Sequence, residues 1–299
     1  MAVQTEIWVR YIINRLWKDN QFLKYTFNDD QYVVGGKIVH IPNPGSKPTV
    51  VKNRAAFPAI AVQRADTDIT YTLDRYSTDP TQIEAADLQE ITYDKISSVF
   101  GDHAGQLVET VADDMIIKWL TGIAAIVTTS GGATGNLVAG QTGTRKVLMN
   151  GDLKKAKLQM DLQKVPAADR YALLEANRMD ELLSDLSVTQ YRDFSDQMDA
   201  ANGIVGKLYG FNIMSRSNVA MASAGNVISA LGAAVGATDN VVNLAWQKDS
   251  ITRAIGEKRF FENKDDAFNY GDVYSALLRA GGRRRRSDDA GVIAIVSAP

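Results

Sequence analysis

Residues 94–120, DKISSVFGDHAGQLVETVADDMIIKWL, are the stretch on which the prediction of the fold depends. Apolar residues recur in it at steps of three and four, a spacing that places them on one face of an α-helix. That face comprises Ile96, Val99, Phe100, Ala104, Leu107, Val108, Val111, Met115, Ile116 and Trp119. At about 1.5 Å per residue, the helix would be roughly 40 Å long. The sequence therefore predicts one long helix that acts as the spine of the chain.

Residues 22–78, which precede this helix, predict an extended hairpin. Its strand-like runs span residues 25–27, 31–34, 37–41, 59–63 and 69–75. Residues 42–45, Pro-Asn-Pro-Gly, forbid regular structure at the tip. A two-stranded ribbon alone is barely stable in water, so this hairpin must lie on its own domain or on another subunit. Residues 5–18 predict a short amphipathic helix. This helix, too, would pack either on its own domain or on a neighbouring subunit.

The chain after the long helix alternates between helical and strand patterns. Residues 128–144 are rich in Gly, Thr and Ser and predict a flexible loop. The elements that follow are a helix at 150–163, a buried strand at Tyr171–Leu174, a helix carrying Met179, Leu182, Leu183 and Leu186, strands at Gly206–Met214 and Val241–Trp246, and long strands within Ala267–Val296 that meet at a polar turn around Arg285–Asp289. This alternation predicts an α+β or α/β domain.

Composition narrows the classes of protein that the chain can belong to. Its 299 residues are 45% hydrophobic, enough for a sizeable core, and the net charge of −2 argues against a dedicated nucleic-acid binder. The absence of cysteine excludes disulfides and thiolate metal sites. The two histidines, His40 and His103, are far apart in the sequence, and every long apolar stretch is interrupted, so we expect neither a multi-histidine metal site nor a membrane span.

Two local patterns resemble chemical sites, a phosphate loop and a set of catalytic carboxylates, but neither is predicted to be one. Gly131 to Gly143 is Gly-rich, but a phosphate loop needs Gly-Lys-Ser/Thr, and here Gly143 is followed by Thr144 and Arg145. The acidic residues around the long helix are better interpreted as a solvated face or as partners of basic residues than as acid–base catalysts. They are Glu84, Asp87, Glu90, Asp113 and Asp114. The sequence therefore predicts no catalytic residue, no cofactor-binding residue and no metal ligand.

The run Arg283-Arg284-Arg285-Arg286 is the most unusual local feature. Four charges on one turn cannot all be satisfied within the chain at small cost. They could neutralise phosphates of an enclosed nucleic acid or bind acidic groups across a subunit contact. The third possibility is a solvated hairpin turn, with Asp288 and Asp289 balancing part of the charge.

The order of these segments resembles that of the major capsid proteins of tailed bacteriophages, which share the Hong Kong 97-like fold with encapsulin nanocompartments. The resemblance covers most of the chain and is one of pattern, not of a single motif. It rests on the loop at 36–42 with its return at 66–76, on Ile83–Gln89 leading into the long helix, on Val165–Leu174, on Gly206–Ile213, and on a closing strand pair with a glycine-arginine turn that ends in Ala290–Val296.

The resemblance implies an α+β capsid fold with four parts. Residues 1–20 would be an N-terminal arm and residues 21–78 an extended loop. Residues 79–127 and 246–299 would form a peripheral domain that contains the long spine helix, and residues 128–245 an axial domain. No motif for a covalent crosslink between subunits is found, so none is expected.

By this resemblance the chain would be a structural subunit and not an enzyme. It would assemble with itself through hexamers and pentamers into an icosahedral shell around double-stranded DNA, which it would contact non-specifically. Scaffolding, portal and cement proteins would be its other partners, with no membrane involved. It would be located in the virion after assembly in the host cytoplasm. The alternatives are an encapsulin-like compartment, a tail structural protein, and an enzyme with an unrecognised site.

Overall fold

The computed structural model describes residues 20–35, 37–43, 49–55, 61, 63–64, 67–84, 95–286 and 288–299. Their helices are α1 (Lys95–Leu120), α2 (Asn150–Leu162), α3 (Ala176–Asp185) and α4 (Val188–Ser195). Their strands are β1 (Phe27–Asn28), β2 (Val33–Val34), β3 (Ile38–Asn43), β4 (Thr67–Thr72), β5 (Asp74–Ser77), β6 (Thr81–Glu84), β7 (Ile126–Thr128), β8 (Arg170–Glu175), β9 (Gly206–Leu208), β10 (Phe211–Arg216), β11 (Ala220–Ala222), β12 (Asn240–Gln247), β13 (Ile251–Asp266), β14 (Gly271–Arg284) and β15 (Val292–Val296). The predicted α+β class is confirmed. The predicted helix at 5–18 lies outside the described residues.

Helix α1 confirms the predicted spine. It is 26 residues long, and the predicted apolar positions from Ala104 to Trp119 are buried in the largest core cluster. Its last turn is fixed by a polar contact as well, because the Trp119 indole Nε1 donates a hydrogen bond to the Thr252 carbonyl at 3.0 Å. The helix thereby joins the two larger sheets of the molecule, since residues of both lie in the same cluster.

The seven-stranded sheet has the order β7-β15-β12-β8-β10-β9, with β11 also paired to β12. Its central strands β8, β12 and β15 are buried along their whole length. Neighbouring residues of β15 face opposite sides, as the pleat requires. Val292, Ala294 and Val296 belong to the cluster around α1, whereas Ile293 and Ile295 belong to a second cluster with α2 and α3. Near-continuous apolar strands therefore reflect a sheet that is covered by helices on both faces.

The five-stranded sheet is built on the long hairpin of β13 and β14, which turns at residues 267–270. Strand β1 pairs with β13 in parallel, and β5 and β6 follow each other along the outer edge of β14. The predicted closing pair of strands was therefore wrong. Strand β14 pairs with β13, while β15 belongs to the seven-stranded sheet, so residues 285–291 connect two sheets and do not form a hairpin turn.

The three-stranded sheet β2-β3-β4 contains the base of the predicted extended hairpin. Strands β3 and β4 are antiparallel, with His40 opposite Thr70, which confirms the hairpin there. Val39, Ile41, Ile69 and Leu73 pack against Ala254, so this part of the hairpin lies on its own chain. The predicted strands at 25–27 and 31–34 are confirmed only at their ends, in β1 and β2, and 3₁₀ turns precede both strands. Most of the run at 59–63 lies outside the described residues.

Two further differences concern the region around α3. Residues 206–214, predicted as one strand, form the hairpin β9–β10, because Tyr209 and Gly210 adopt left-handed conformations with φ of 50° and 86°. Helix α4 was not predicted, although a capping box marks its start. The Ser187 hydroxyl accepts a hydrogen bond from the Gln190 backbone and the Gln190 side chain accepts one from the Ser187 backbone.

Candidate functional site

The Gly-rich segment at 128–149 is the first candidate site, and carboxylates hold it in place. Asp152 is fully buried and accepts hydrogen bonds from the Ser130 amide at 3.0 Å and from the Met149 amide at 3.2 Å. Burial opposes the charge of Asp152, yet hydrogen bonds from Lys155, Ser130 and the backbone lower its pKa. Residues 129–149 form neither helix nor strand, which confirms the predicted loop, and buried acceptors tie its ends to the domain.

A buried ion pair fixes the other side of the same segment. The Glu181 carboxylate accepts hydrogen bonds from the Asn136 amide at 2.7 Å and the Leu148 amide at 2.8 Å. It also lies 2.7 Å from Nη1 of Arg178, a side chain that is completely buried. A phosphate would need these backbone amides, which are already used, and the carboxylates would repel it. The geometry therefore agrees with the motif analysis in giving no phosphate-binding loop.

The acidic residues around α1 are structural partners where the structure describes them. Asp113 forms an ion pair with Arg216, and Asp114 binds Lys118 at 2.7 Å and accepts a hydrogen bond from the Tyr76 hydroxyl. Asp87 and Glu90 lie outside the described residues, and Glu84 is exposed at the end of β6. Two of the five predicted acids thus pair with basic residues, as the sequence analysis preferred.

The four arginines at 283–286 have different partners, and each has at least one within the chain. Arg284 donates to the carbonyls of Trp119 and Thr121 at 2.8 and 2.7 Å, which caps the C-terminus of α1, and pairs with Asp289 at 2.5 Å. Arg283, which is exposed, donates to the carbonyl of Thr70 at 3.1 Å.

The last two arginines also contact other residues of the chain. The Arg285 guanidinium lies 3.9 Å from the ring centroid of Phe27. Arg286 binds Asp288 through two nitrogens, at 2.8 and 2.6 Å, and these hydrogen bonds lower the pKa of Asp288 to about 2. Asp288 and Asp289 thus balance part of the charge, as expected, through ion pairs with Arg286 and Arg284. Arg283 and Arg285 form no ion pair with a residue that the structure describes.

The two histidines do not come together. His40 Nδ1 lies 2.7 Å from Asp68 on the exposed face of the β3–β4 hairpin. His103 is buried on α1, and burial lowers its pKa. Among the described residues, no group of three or more His, Asp or Glu side chains could hold a metal ion. No helix in the described part of the chain is long and apolar enough to cross a membrane.

Several apolar side chains are strongly exposed at turns and at the ends of elements. Phe268 and Tyr270, at the turn of the β13–β14 hairpin, are 94% and 81% exposed. Val50 is 93% exposed in the described part of the extended loop, and Val188 is 89% exposed at the start of α4. Scattered surface apolar residues are ordinary. Phe268 and Tyr270 differ in forming an exposed aromatic pair at one turn. The exposure of this pair was not predicted from the sequence.

Comparisons with known proteins address the fold. No family model and no curated protein matches the chain. Solved structures do match. The capsid of cyanophage Pam1 aligns with a TM-score of 0.63 at 11% identity, over 93% of this chain and 91% of that one. The capsid of cyanophage P-SCSP1u aligns with a TM-score of 0.62 at 18% identity, over 92% of this chain and 86% of that one.

The chain has a phage capsid fold. A virus-like particle from Pyrococcus furiosus also aligns, with a TM-score of 0.55 at 10% identity, over 98% of this chain and 99% of that one. The capsid fold therefore extends over nearly the whole chain, as the resemblance in the sequence predicted. At such low identity the alignments show the fold and do not transfer any individual residue's role.

Proposed function

We propose that this chain is the major capsid protein of a tailed phage. Copies of it assemble through hexamers and pentamers into an icosahedral shell that encloses double-stranded DNA. The observation that carries the proposal is the alignment with phage capsids over about nine-tenths of both chains. A shell subunit requires surfaces that are completed by neighbours, and the exposed aromatic residues of the β13–β14 turn suit that role.

The four parts have distinct proposed roles. Residues 1–20 form an arm that ties to one neighbour, and residues 21–78 form a loop whose tip lies over another. Residues 79–127 and 246–299 form the peripheral domain, and residues 128–245 form the axial domain. Strand β15 connects the two domains of this division. It lies in the peripheral segment of the sequence, but it pairs with β12 in the seven-stranded sheet.

The remaining proposals follow from a structural role. The subunit is not an enzyme, and with a net charge of −2 it contacts the enclosed DNA without sequence specificity. Scaffolding and portal proteins act with it during assembly, and a cement protein adds to the finished shell. Assembly takes place in the host cytoplasm, and the mature location is the virion.

A second candidate is a closed shell of the same fold that encloses a protein cargo, as encapsulins do. The alignment with the Pyrococcus furiosus particle, which covers 98% of this chain, supports it. The two candidate shells differ in what they enclose, which is DNA in one and a protein cargo in the other. Particles that co-purify with a protein cargo would favour the compartment, and particles that require a scaffolding protein and a portal would favour the phage capsid.

Electron microscopy of the purified chain, expressed alone and with a scaffolding protein, tests the proposal. Closed particles, or hexamers and pentamers, are expected. A chain that stays monomeric under all conditions would contradict the proposal, and tubes or trimers would indicate a tail protein.

A deletion sharpens this test. Replacing residues 44–66 with a short Gly-Ser turn keeps β3 and β4, whose apolar residues pack on Ala254. The variant should fold with wild-type stability and fail to assemble. A variant that unfolds would show that the removed segment belongs to the subunit's own core.

A further inference from the structure

Helix α2 carries apolar residues on two opposite sides, and the chain covers only one of them. Leu153, Ala156 and Met160 are buried in the core cluster that α2 shares with the seven-stranded sheet. Leu158 and Leu162 are 57% and 73% exposed. Because successive residues of an α-helix are about 100° apart, Leu158 points away from the buried side. The two leucines are one turn apart and form a continuous apolar strip on the solvent face of α2.

Positive charge flanks this apolar strip. Lys154 is exposed one turn before Leu158, and Lys164 is exposed just beyond the end of α2. Neither lysine forms an ion pair with a residue that the structure describes. Their ammonium groups are therefore available to a partner that covers the leucines.

The two acids of α2 do not cancel this charge, because each already has a basic partner. Asp152 is fully buried and lies 2.8 Å from Lys155. Asp161 lies 2.8 Å from Lys157 and 2.7 Å from Arg170. The solvent face of α2 thus combines two exposed leucines with a net positive charge.

The chemistry of this face determines what can cover it. The backbone groups along a helix are already paired, so a strand cannot add to α2 and recognition must use side chains. Phosphates of a nucleic acid would bind the lysines but leave the leucines in water. A helix with apolar residues on one side and carboxylates beside them would bury the leucines and pair with the lysines.

We propose that the solvent face of α2, formed by Lys154, Leu158, Leu162 and Lys164, binds an acidic amphipathic helix of another protein. The 13 residues of α2 span roughly 20 Å, which matches about three to four turns of a partner helix. The proposal goes beyond the capsid function, because the face is present on the single subunit and does not require assembly.

Synthetic peptides test the contact on the full-length chain, below the concentration at which it assembles. In the probe peptide, Leu recurs at steps of three and four and Glu occupies the neighbouring positions. A second peptide has the same composition in scrambled order, and a third has Lys in place of Glu. Fluorescence anisotropy should detect binding of the probe peptide alone. Equal binding of the scrambled peptide would reduce the contact to charge attraction and overturn the proposal.

Two variants separate the apolar and the charged contributions. Leu158→Ser/Leu162→Ser should weaken binding of the probe peptide about tenfold or more, because the apolar area that the peptide buries is lost. Lys154→Glu/Lys164→Glu should weaken it as well, because like charges then face each other. Circular dichroism verifies that both variants fold, as expected for exposed positions. Wild-type affinity in either variant would overturn the proposal.

Helix α4 supplies a matched control. Val188→Ser/Tyr191→Ser also removes two exposed apolar side chains, which are 89% and 50% exposed, and leaves α2 unchanged. This variant should bind the probe peptide as the wild type does. A loss as large as that of Leu158→Ser/Leu162→Ser would mean that the peptide adheres to exposed apolar surface in general, and the proposal would fail.

Two other occupants of the face predict different results. If short duplex DNA binds more tightly than the probe peptide and depends on the lysines but not on the leucines, the face is a nucleic-acid surface. If Leu158→Ser/Leu162→Ser reduces self-assembly and leaves peptide binding unchanged, the face is a contact between copies of this chain. Either result overturns the proposal, and neither depends on whether the assembled shell is a capsid.

Discussion

The seven-stranded and five-stranded sheets share α1 but differ in how completely their own chain covers them. Strands β8, β12 and β15 are buried at every residue, whereas β13 is buried from Ile251 to Ala254 and becomes exposed toward Asp266. Helices cover both faces of the first sheet, while the β13–β14 hairpin extends beyond α1 to an exposed turn. The first sheet is a self-sufficient core, and the second offers surface that a neighbour can bury.

Charged residues follow the same division. In the seven-stranded region, Arg178 is completely buried against Glu181. Along the β13–β14 hairpin, pairs such as Arg259 with Glu257 are partly open to water, with side chains 64% and 35% exposed. A buried pair costs much free energy when one partner is removed, whereas an exposed pair contributes little. Substitutions in the two regions should therefore separate stability from assembly.

Arg178→Ala should have the largest effect on stability. It leaves the Glu181 carboxylate buried without its cation and should lower the free energy of unfolding by about 3–5 kcal/mol. Urea denaturation of the unassembled subunit measures the change. Arg192→Ala is the matched control, because Arg192 pairs with Asp193 at the surface and its removal should cost about 0.5 kcal/mol or less. Equal losses of unfolding free energy for the two variants would contradict the difference between buried and exposed ion pairs.

Arg284→Ala should come next. It removes two hydrogen bonds to the C-terminal carbonyls of α1 and the ion pair with Asp289, and should cost about 1.5–3 kcal/mol. Arg286→Ala, two residues away, loses only a half-exposed pair with Asp288 and should cost about 0.5 kcal/mol. Thermal unfolding of both variants compares them. A larger loss for Arg286→Ala would contradict the assignment of Arg284 as the cap of α1.

The long-range contacts of the arginine run could not be predicted from the sequence, although several helices and strands could. Helix α1 was predictable because a buried helix face requires apolar residues at steps of three and four. Strands β8, β12 and β15 were predictable because a strand buried on both faces is a continuous apolar run. Strand β13 was missed because its far half carries charges on both faces, as in Glu257-Lys258-Arg259. The carbonyls that accept hydrogen bonds from Arg284 lie more than 160 residues away, at Trp119 and Thr121, and no local sequence pattern predicts them.

The candidate site was predictable only in part. The missing Lys at 131–145 already argued against a phosphate loop, and Asp152 and Glu181 add a physical reason, because they occupy the backbone amides of this segment. The exposed Phe268 and Tyr270 could not be recognised, because an aromatic residue carries no local sign of whether it is buried. Only the pairing of β13 with β14 places both at a turn.

A pH-dependent effect, smaller in size, concerns Asp29 at the base of the extended loop. Burial raises its pKa, although hydrogen bonds from Thr252 and Tyr71 and the charge of Arg285 oppose the rise, while Asp30 adds to it. The folded chain thus holds this proton to a higher pH than the unfolded chain, whose Asp pKa is about 3.9. Stability is therefore lost as the pH rises from about 4 through the folded-state pKa.

Asp29→Asn removes this titration and keeps an acceptor for the Tyr71 hydroxyl. The free energy of unfolding of the variant, relative to the wild type, should increase as the pH rises from about 4 toward neutrality and stay constant below that range. Urea denaturation at several pH values measures the difference. A constant difference across the range would mean that Asp29 has the same pKa in the folded and unfolded chains.

Phe268→Ala/Tyr270→Ala should have the smallest effect on stability, within about 0.5 kcal/mol, because both side chains are almost fully exposed. Assembly should nevertheless decrease, since exposed aromatic residues contribute strongly once a partner buries them. Urea denaturation of the subunit and mass photometry of the particles separate the two quantities. A loss of stability as large as that of Arg284→Ala would mean that the tip is held by its own chain, and unchanged assembly would place the subunit contacts elsewhere. Stable folding with weakened assembly would establish that the hairpin, unlike the seven-stranded core, is completed by a neighbour.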